Sequence, residues 1–391
     1  ADQGRERPSS ASSASSSSPP ASSESSSSSG LTATGLLPRR VAFAALVGGG
    51  LCWQRQARCR QLQGLARSAA RRERQPVRRG NVSPVRDVPA HILRPHYVTF
   101  KELGSPWEEG VSMPWHPYID TPEIKSPEKV ERMHVAGALA REALEVGGRA
   151  VAVGATTDEV DAAVHEFVVA RGAYPSPLGY MGFQKSVSTS VNDVIAHGIP
   201  DDRALEDGDI LNVDVTVFIG GCHGDTSSMF IAGTPDDVGL AMCRAAREAT
   251  WAGIGACGPG VDFRVVGSKI EEVADAAGLL VCPRFIGHGI GTYFHGAPSV
   301  WPFANDNDEG LMLPGMTFTI EPVLVENRDD TFHEWEDKWT CSTLTNARSA
   351  QFEHTILITE DGVEVLTGPS IDFEAVAAEQ RPLRAGGRLS G

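Results

Sequence analysis

The run Leu211-Asn212-Val213-Asp214-Val215-Thr216-Val217-Phe218-Ile219-Gly220-Gly221-Cys222-His223-Gly224-Asp225 decides how the rest of the chain is read. Leu211, Val213, Val215, Val217 and Ile219 alternate with Asn212, Asp214, Thr216 and Phe218, the pattern of a strand with one apolar face. Gly220-Gly221 then marks a hairpin turn. Asp214 and Asp225 stand eleven residues apart across that turn and are expected nearly opposite one another. Directly paired positions in a hairpin have Cβ atoms roughly 5 Å apart. Two carboxylates so close repel each other unless a cation lies between them. In two-metal hydrolases the ions sit about 3.5 to 4 Å apart, a gap that a bridging carboxylate spans. Taken alone, the pair fits two solvated hairpin acids equally well.

Helical signals lie on both sides of the hairpin. Ser126-Pro127 supplies a capping hydroxyl followed by proline at the first helical position. Val130, Met133, Gly137, Ala140 and Leu144 then repeat at three and four, and Gly147-Gly148 reads as the stop. Thr156-x-x-Glu159 is a capping box that opens a second helix, ending at Gly172. Two further helices are expected over 237–255 and 262–277, the latter ended by Gly278, followed by strands at Met316 to Val325 and Gln351 to Thr359. The order helix pair, hairpin, helix pair, strands predicts an α+β domain over 126–372 rather than a doubly wound parallel sheet.

The 391 residues are unevenly composed. Residues 1–95 hold 15 Arg, no Lys and five acidic residues, whereas the remainder carries 45 acidic and 20 basic residues. So acidic a body argues against nucleic acid as the main partner, because phosphate binding relies on clustered Lys and Arg. The first 30 residues are dominated by Ser and are expected to be disordered. Arg39-Arg40 precede an apolar run from Val41 to Cys52, too short to span a bilayer and of signal-region length. An Arg-rich, acid-poor stretch follows through Arg79. Residues 1–80 therefore read as a leader targeting the chain to an organelle, the plainer alternative being a disordered basic tail. No stable membrane anchor is expected. Residues 81–125 read as a linker or wrapping arm and 373–391 as a tail. Residues 1–95 supply no ligand or pocket residue, so they are expected to be dispensable for turnover and stability. The seven cysteines (52, 59, 222, 243, 257, 282 and 341) form no C-x-x-C pair, which speaks against a zinc finger and, with their scatter, for a reducing compartment.

More polar residues sit where a core wants apolar ones. His288 lies in Gly287-His288-Gly289-Ile290-Gly291, Glu321 within Phe318-Thr319-Ile320-Glu321-Pro322, and Glu353 within Gln351-Phe352-Glu353-His354-Thr355. A strand glutamate alone ordinarily faces solvent, and a lone histidine is ordinarily a hydrogen-bonded core residue. As a set, Asp214, Asp225, His288, Glu321 and Glu353 offer four carboxylates and one imidazole. Two divalent ions offset that charge, and oxygen-rich ligation of this kind suits Mn, Fe, Co or Zn.

The strings Ser-Val-Asn-Asp-Val-Ile-Ala-His197-Gly-Ile-Pro, Asn-Val-Asp214-Val-Thr-Val, His-Gly-Asp225-Thr, Gly-His288-Gly-Ile-Gly, Thr-Ile-Glu321-Pro and Ala-Gln-Phe-Glu353-His-Thr resemble type I methionine aminopeptidases, in order, from about Ser126 to Gly368. The resemblance implies the pita-bread fold, two similar αβ halves cupping a dinuclear centre. It implies that Asp214 chelates one ion, that His288 and Glu321 complete the other's protein ligands, and that Asp225 and Glu353 bridge both. Glu321 is then the proton shuttle, His295 the residue stabilising the tetrahedral intermediate, and His197 the contact to the peptide nitrogen. Tyr180, Phe183, Phe285, Phe294 and Trp339 are expected to line the methionine pocket, and Asn192, Val194 and Ser349 a monovalent-cation site. The sequence departs from the family at Ser188 and Ala196, where relatives commonly carry cysteine, and at Gln184, in place of a common proline; these bear on the pocket rather than on the metals. Expected partners are the N-termini of nascent polypeptides, close to the ribosome. The segment from Arg78 to Val98 is similar to the arm of organellar members, mitochondrion or plastid, where a deformylase acts first. A proline-directed peptidase of the same fold normally has a large folded N-terminal domain, unlike this low-complexity start. A non-catalytic relative typically lacks the ligands that are all present here.

Overall fold

The structure, a computed structural model, describes residues 74–102 and 118–380. The leader reading for residues 1–73 and most of the tail lie outside the described residues.

Helix Pro127–Ala150 starts as its sequence dictates, with Ser126 capping the Lys129 amide and Pro127 at the first position. It does not stop at Gly147-Gly148, contrary to expectation. A methyl on Gly148 would fall inside the Phe230 ring, and one on Gly147 would press on Val164. Both glycines therefore serve close packing of the helix on its neighbours, which outweighs their poor helix propensity. Helix Thr157–Ala170 carries the expected capping box, with Glu159 Oε2 accepting from the Thr156 amide at 2.7 Å. Helices Asp237–Ile254 and Arg264–Ala277 form the second pair, the latter closed by Gly278 in the left-handed conformation.

The central sheet has nine strands. Tyr174–Pro175, Ile210–Ile219, Cys222–Ile231, Glu353–Ile358, Thr317–Ile320, Gly287–Gly289 and Gly296–Val300 are laid side by side in that order, with Ser188–Val191 and Val363–Val365 attached. Each helix pair covers its own half. Leu139, Leu144, Val160 and Val164 pack on Leu211, Val213, Val215 and Val217, all in one cluster. Met242, Ala246, Ala249 and Ile270 pack on Phe318, Ile320, Ile356 and Ile358 in another. This is the α+β pita-bread architecture: apolar strand residues face the helices, and the polar alternates are left on the opposite face.

Two expected strands are each divided. Met316 to Val325 becomes Thr317–Ile320 in the central sheet and Val323–Val325 in a three-stranded sheet, with Glu321-Pro322 between. Gln351 to Thr359 divides likewise, into Ser349–Gln351 and Glu353–Ile358 on either side of Phe352. Proline at 322 cannot donate to a ladder, so the chain changes sheets there. Glu321 consequently sits at a strand end rather than mid-strand.

The stretch before Pro127 contributes to the core. Helix His96–Glu102 brings Tyr97 and Val98, and the chain before it Val88 and Ile92, into one buried cluster with Tyr174, Leu178, Tyr180, Phe218 and Phe294. Arg86 pairs with Asp158 and Asp161 at 2.9 Å each, and the Val77 amide donates to Asp193. These contacts weigh against dispensability of residues 74–95 for stability. Among the described residues no helix is long and apolar enough to cross a membrane, and five cysteines are free thiols.

Candidate metal centre and active site

Ile210–Ile219 and Cys222–Ile231 pair with a two-residue turn, so Thr216 faces Asp225 and Asp214 faces Ser227. Asp214 and Asp225 are therefore diagonal, two positions off the direct pairing expected, yet on the same face of the sheet. Glu353 enters from the adjoining strand, opposite Ser227. Glu321 comes from the end of Thr317–Ile320, and His288 from Gly287–Gly289 beside it. Five ligand-type side chains thus converge from five strands.

Hydrogen bonds aim them. Thr216 Oγ1 donates to Asp225 Oδ1 at 2.6 Å, and Thr319 Oγ1 to Glu321 Oε1 at 2.8 Å. Gln351 Nε2 donates to the Glu321 carbonyl at 3.1 Å. His288 Nδ1 lies 3.2 Å from the Gly289 carbonyl, which can only accept, so the proton is on Nδ1 and the Nε2 lone pair faces the carboxylates. Nε2 stands 3.8 Å from Asp225 Oδ2 and 3.6 Å from Glu321 Oε1. Those separations are long for hydrogen bonds. They suit donor atoms each placed about 2 Å from a shared cation. One donor atom each of Asp225, His288 and Glu353 lies within 4.8 Å of the others. Asp214 Oδ1 is buried with no hydrogen-bond partner among the described residues.

Electrostatics give the same reading. Burial pushes the Asp214 carboxyl up to about 7 and Glu321 up to about 8. Asp225 and Glu353 rise well above the carboxylate range through burial and then through the neighbouring carboxylates. Burial holds His288 down to about 4, so its imidazole is neutral and free to ligate. Four acids that cannot all ionise together, an orphaned carboxylate oxygen and a correctly tautomerised imidazole fit a pair of divalent cations.

The centre forms the floor of a cavity of about 340 Å³. Tyr180, Phe183, Phe285, Phe294, Trp339, His197 and His295 all line it, and Ser188 does too. Ala196 is buried opposite Cys341, and Gln184 faces the groove along residues 82–88, so of the three departures only Ser188 meets the cavity. His197 is held at a positive φ of 57°, its ring edge-on to Phe285 and Trp339. Burial lowers it to about 4, and burial followed by the neighbouring histidines lowers His295 well below the ordinary range. His295 Nδ1 lies 2.8 Å from the Tyr180 hydroxyl. Apart from the cavity, Ser349 donates through N to the Asn192 carbonyl and through Oγ to the Val194 carbonyl, both at 2.8 Å. Sequence reasoning did not single out Thr216, Thr319 or Gln351. The signal for the threonines was there, since each lies two residues from a ligand on the same strand face.

The model of metallopeptidase family M24 matches residues 131–360. The chain belongs to that family. Within M24 it is of the type I methionine aminopeptidase kind, organellar form. It is 48% identical over 291 residues to "Methionine aminopeptidase 1D, mitochondrial" of Danio rerio, covering 74% of this chain and 82% of that one. "Methionine aminopeptidase 1D, chloroplastic/mitochondrial" of Arabidopsis thaliana is 46% identical over 296 residues, 75% of this chain and 80% of its own. Among solved structures, methionine aminopeptidase from Rickettsia prowazekii superposes with a TM-score of 0.62 at 35% identity, covering 63% of this M24 chain and all of that one.

Proposed function

We propose that Asp214, Asp225, His288, Glu321 and Glu353 hold two divalent cations, and that the aromatic cavity above them takes the side chain of an N-terminal methionine. The chain is a methionine aminopeptidase, a metal-dependent hydrolase of the peptide bond that follows an N-terminal methionine. The convergence of four carboxylates, Asp225 and Glu353 buried and Asp214 and Glu321 half-buried, on one neutral imidazole, with an unpartnered Asp214 oxygen among them, carries the reading. Donors of this kind suit Co, Mn, Fe or Zn. Asp225 and Glu353 would be shared between the two ions, Asp214 would serve one of them, and His288 and Glu321 would serve the other. Ser349 with the carbonyls of Asn192 and Val194 offers oxygens to a monovalent cation.

Two divalent cations there would lower the pKa of a water and polarise the scissile carbonyl, supplying a nucleophile near neutral pH. Glu321 takes the proton of the attacking water and returns it to the leaving nitrogen as the carbon–nitrogen bond breaks. Its Oε1 is steadied by Thr319, so the carboxylate is already oriented. His295 donates to the oxygen that becomes negative in the tetrahedral intermediate. His197 contacts the peptide nitrogen. Phe183, Phe285 and Trp339 exclude water and enclose the unbranched thioether, with soft contacts to sulfur.

The closed cavity floor favours a small residue after methionine. Purified protein loaded with Co or Mn should cleave Met-Ala-Ser far faster than Leu-Ala-Ser, Met-Lys-Ser or an Ala-Pro peptide. Equal rates on Leu-Ala-Ser, or preference for Ala-Pro, would refute the assignment. We further propose an organellar location with deformylated nascent N-termini as substrates, near the ribosome, supported by the mitochondrial and chloroplastic relatives. A fluorescent protein fused to residues 1–95 should enter an organelle; diffuse cytosolic fluorescence would contradict this.

A further inference from the structure

We infer that Tyr180 is a positioning residue: its hydroxyl donates to Nδ1 of His295 and so keeps the imidazole in the tautomer that carries its proton on Nε2. This rests on the proposed role of His295 as a donor to the developing oxyanion, and it goes beyond treating Tyr180 as pocket wall.

The two groups are 2.8 Å apart. A phenol has one proton to place, and burial makes an unplaced one costly. Tyr180 is 8% exposed, and among the described residues its hydroxyl has no hydrogen-bond partner other than His295 Nδ1. Were Nδ1 to keep the proton instead, the phenol would accept, and its own O–H would be left without an acceptor. The phenol proton also stays in place at working pH, because burial pushes the tyrosine up. The neutral ring therefore holds its lone pair on Nδ1 and its N–H on Nε2. In that form Nε2 can donate to an anion but cannot take a proton. The direction of the Tyr180 bond thus makes His295 an oxyanion donor rather than a general base.

Tyr180 is itself held firmly. It opens the short turn Tyr180–Gly182, its amide donating to the Pro177 carbonyl and its carbonyl accepting from Phe183. Its ring meets Tyr97 edge-on at 5.1 Å and Phe294 at 4.8 Å. Tyr97 in turn donates to the Ser176 carbonyl. The segment before the catalytic domain thus buttresses the residue that orients His295.

The test is Tyr180→Phe, which removes the oxygen and keeps the ring. In protein carrying ¹⁵N-labelled histidine, metal-free and zinc-loaded, the His295 signals are assigned by their loss in His295→Ala. Wild type should show an unprotonated Nδ1 and a protonated Nε2, and Tyr180→Phe a mixture of tautomers. We expect kcat to fall about tenfold with KM changed less than twofold, and no additional loss when Tyr180→Phe is added to His295→Ala. An unchanged tautomer in Tyr180→Phe, or a raised KM with kcat intact, would overturn the inference and leave Tyr180 as pocket wall. If the tautomer shifts while both Tyr180→Phe and His295→Ala keep full kcat, the orienting bond stands and the donor role of His295 falls.

Discussion

Removing the metal should destabilise the protein in a pH-dependent way whose sign follows from the carboxylate cluster. Burial raises Asp214 from 3.8 to about 7 and Glu321 from 4.5 to about 8. Both folded-state values lie above those of the unfolded chain. Between about pH 4 and pH 8 the metal-free fold therefore binds more protons than the unfolded chain, and its stability falls as pH rises. Each pKa unit corresponds to 1.36 kcal/mol, so Asp214 alone contributes no more than about 4 kcal/mol, less once the groups share the burden. For a domain of this size 1 kcal/mol moves Tm by about 2–4 °C. Melts in chelator and in saturating Mn or Co at pH 5, 6, 7 and 8 should thus diverge, the gap widening by about 10 °C over that range. Asp225→Asn should behave oppositely to an ordinary core lesion. In chelator at pH 8 it should melt no lower than wild type, because it removes one acid from a set that cannot all ionise together, while losing activity and most of the metal-induced gain. A gap constant from pH 5 to pH 8, or a metal-free Asp225→Asn that melts below wild type, would refute the reasoning.

Three further outcomes follow from particular contacts. His295→Ala should keep metal content and Tm while kcat falls by about 10²–10³ with little change in KM, since one oxyanion donor is lost; steady-state kinetics with metal analysis checks this, and loss of metal would mean a structural role instead. Tyr97 is fully buried against Tyr180 and His223, so Tyr97→Ala should cost about 3–5 kcal/mol in chemical unfolding, whereas a cost under 1 kcal/mol would show that the segment is an ornament. Thr355 Oγ1 donates to the Asp225 carbonyl at 2.7 Å and accepts from its amide at 3.2 Å, so Thr355→Val should weaken metal binding about 10- to 100-fold without touching a ligand, a change titration calorimetry would detect and an unaltered Kd would disprove.

Helix starts were legible because their signals are local: the Ser126 and Thr156 caps act within three residues of themselves. What the sequence hid depends on distant partners. Gly147-Gly148 looks like a stop until Phe230 and Val164 are seen packed on it. The run from Met316 to Val325 reads as one largely apolar strand, and apart from Pro322 nothing local says that its two ends belong to different sheets. Apolar content reports burial but not which sheet does the burying. The Pro-rich stretch before Pro127 has no periodicity, yet Val88, Ile92 and Tyr97 are core residues, because side chains in irregular backbone follow no repeat that could be read. The five ligand-type residues were legible as a set for the opposite reason. His288, Glu321 and Glu353 stand where a core wants apolar residues, Asp214 and Asp225 lie across a turn from each other, and the cost of gathering four acids has one economical resolution.

That resolution also explains how the two halves of the fold are joined. Asp214 and Asp225 belong to the first hairpin, and His288, Glu321 and Glu353 to the second set of strands. The seam between them is short, with only Glu353 opposite Ser227 and His354 opposite Thr226 in register. Side chains reinforce it: Thr226 Oγ1 donates to the Glu353 carbonyl at 2.8 Å, and Asn212 Nδ2 to the Gln351 carbonyl at 3.0 Å. Both residues assigned as bridging ligands, Asp225 and Glu353, flank this seam, one from each side. Cations shared between them would tie the halves together where the ladder is only two pairs long. The same arrangement opens the cavity directly above the seam, so the position that needs a cation for cohesion is the position at which hydrolysis needs one for chemistry.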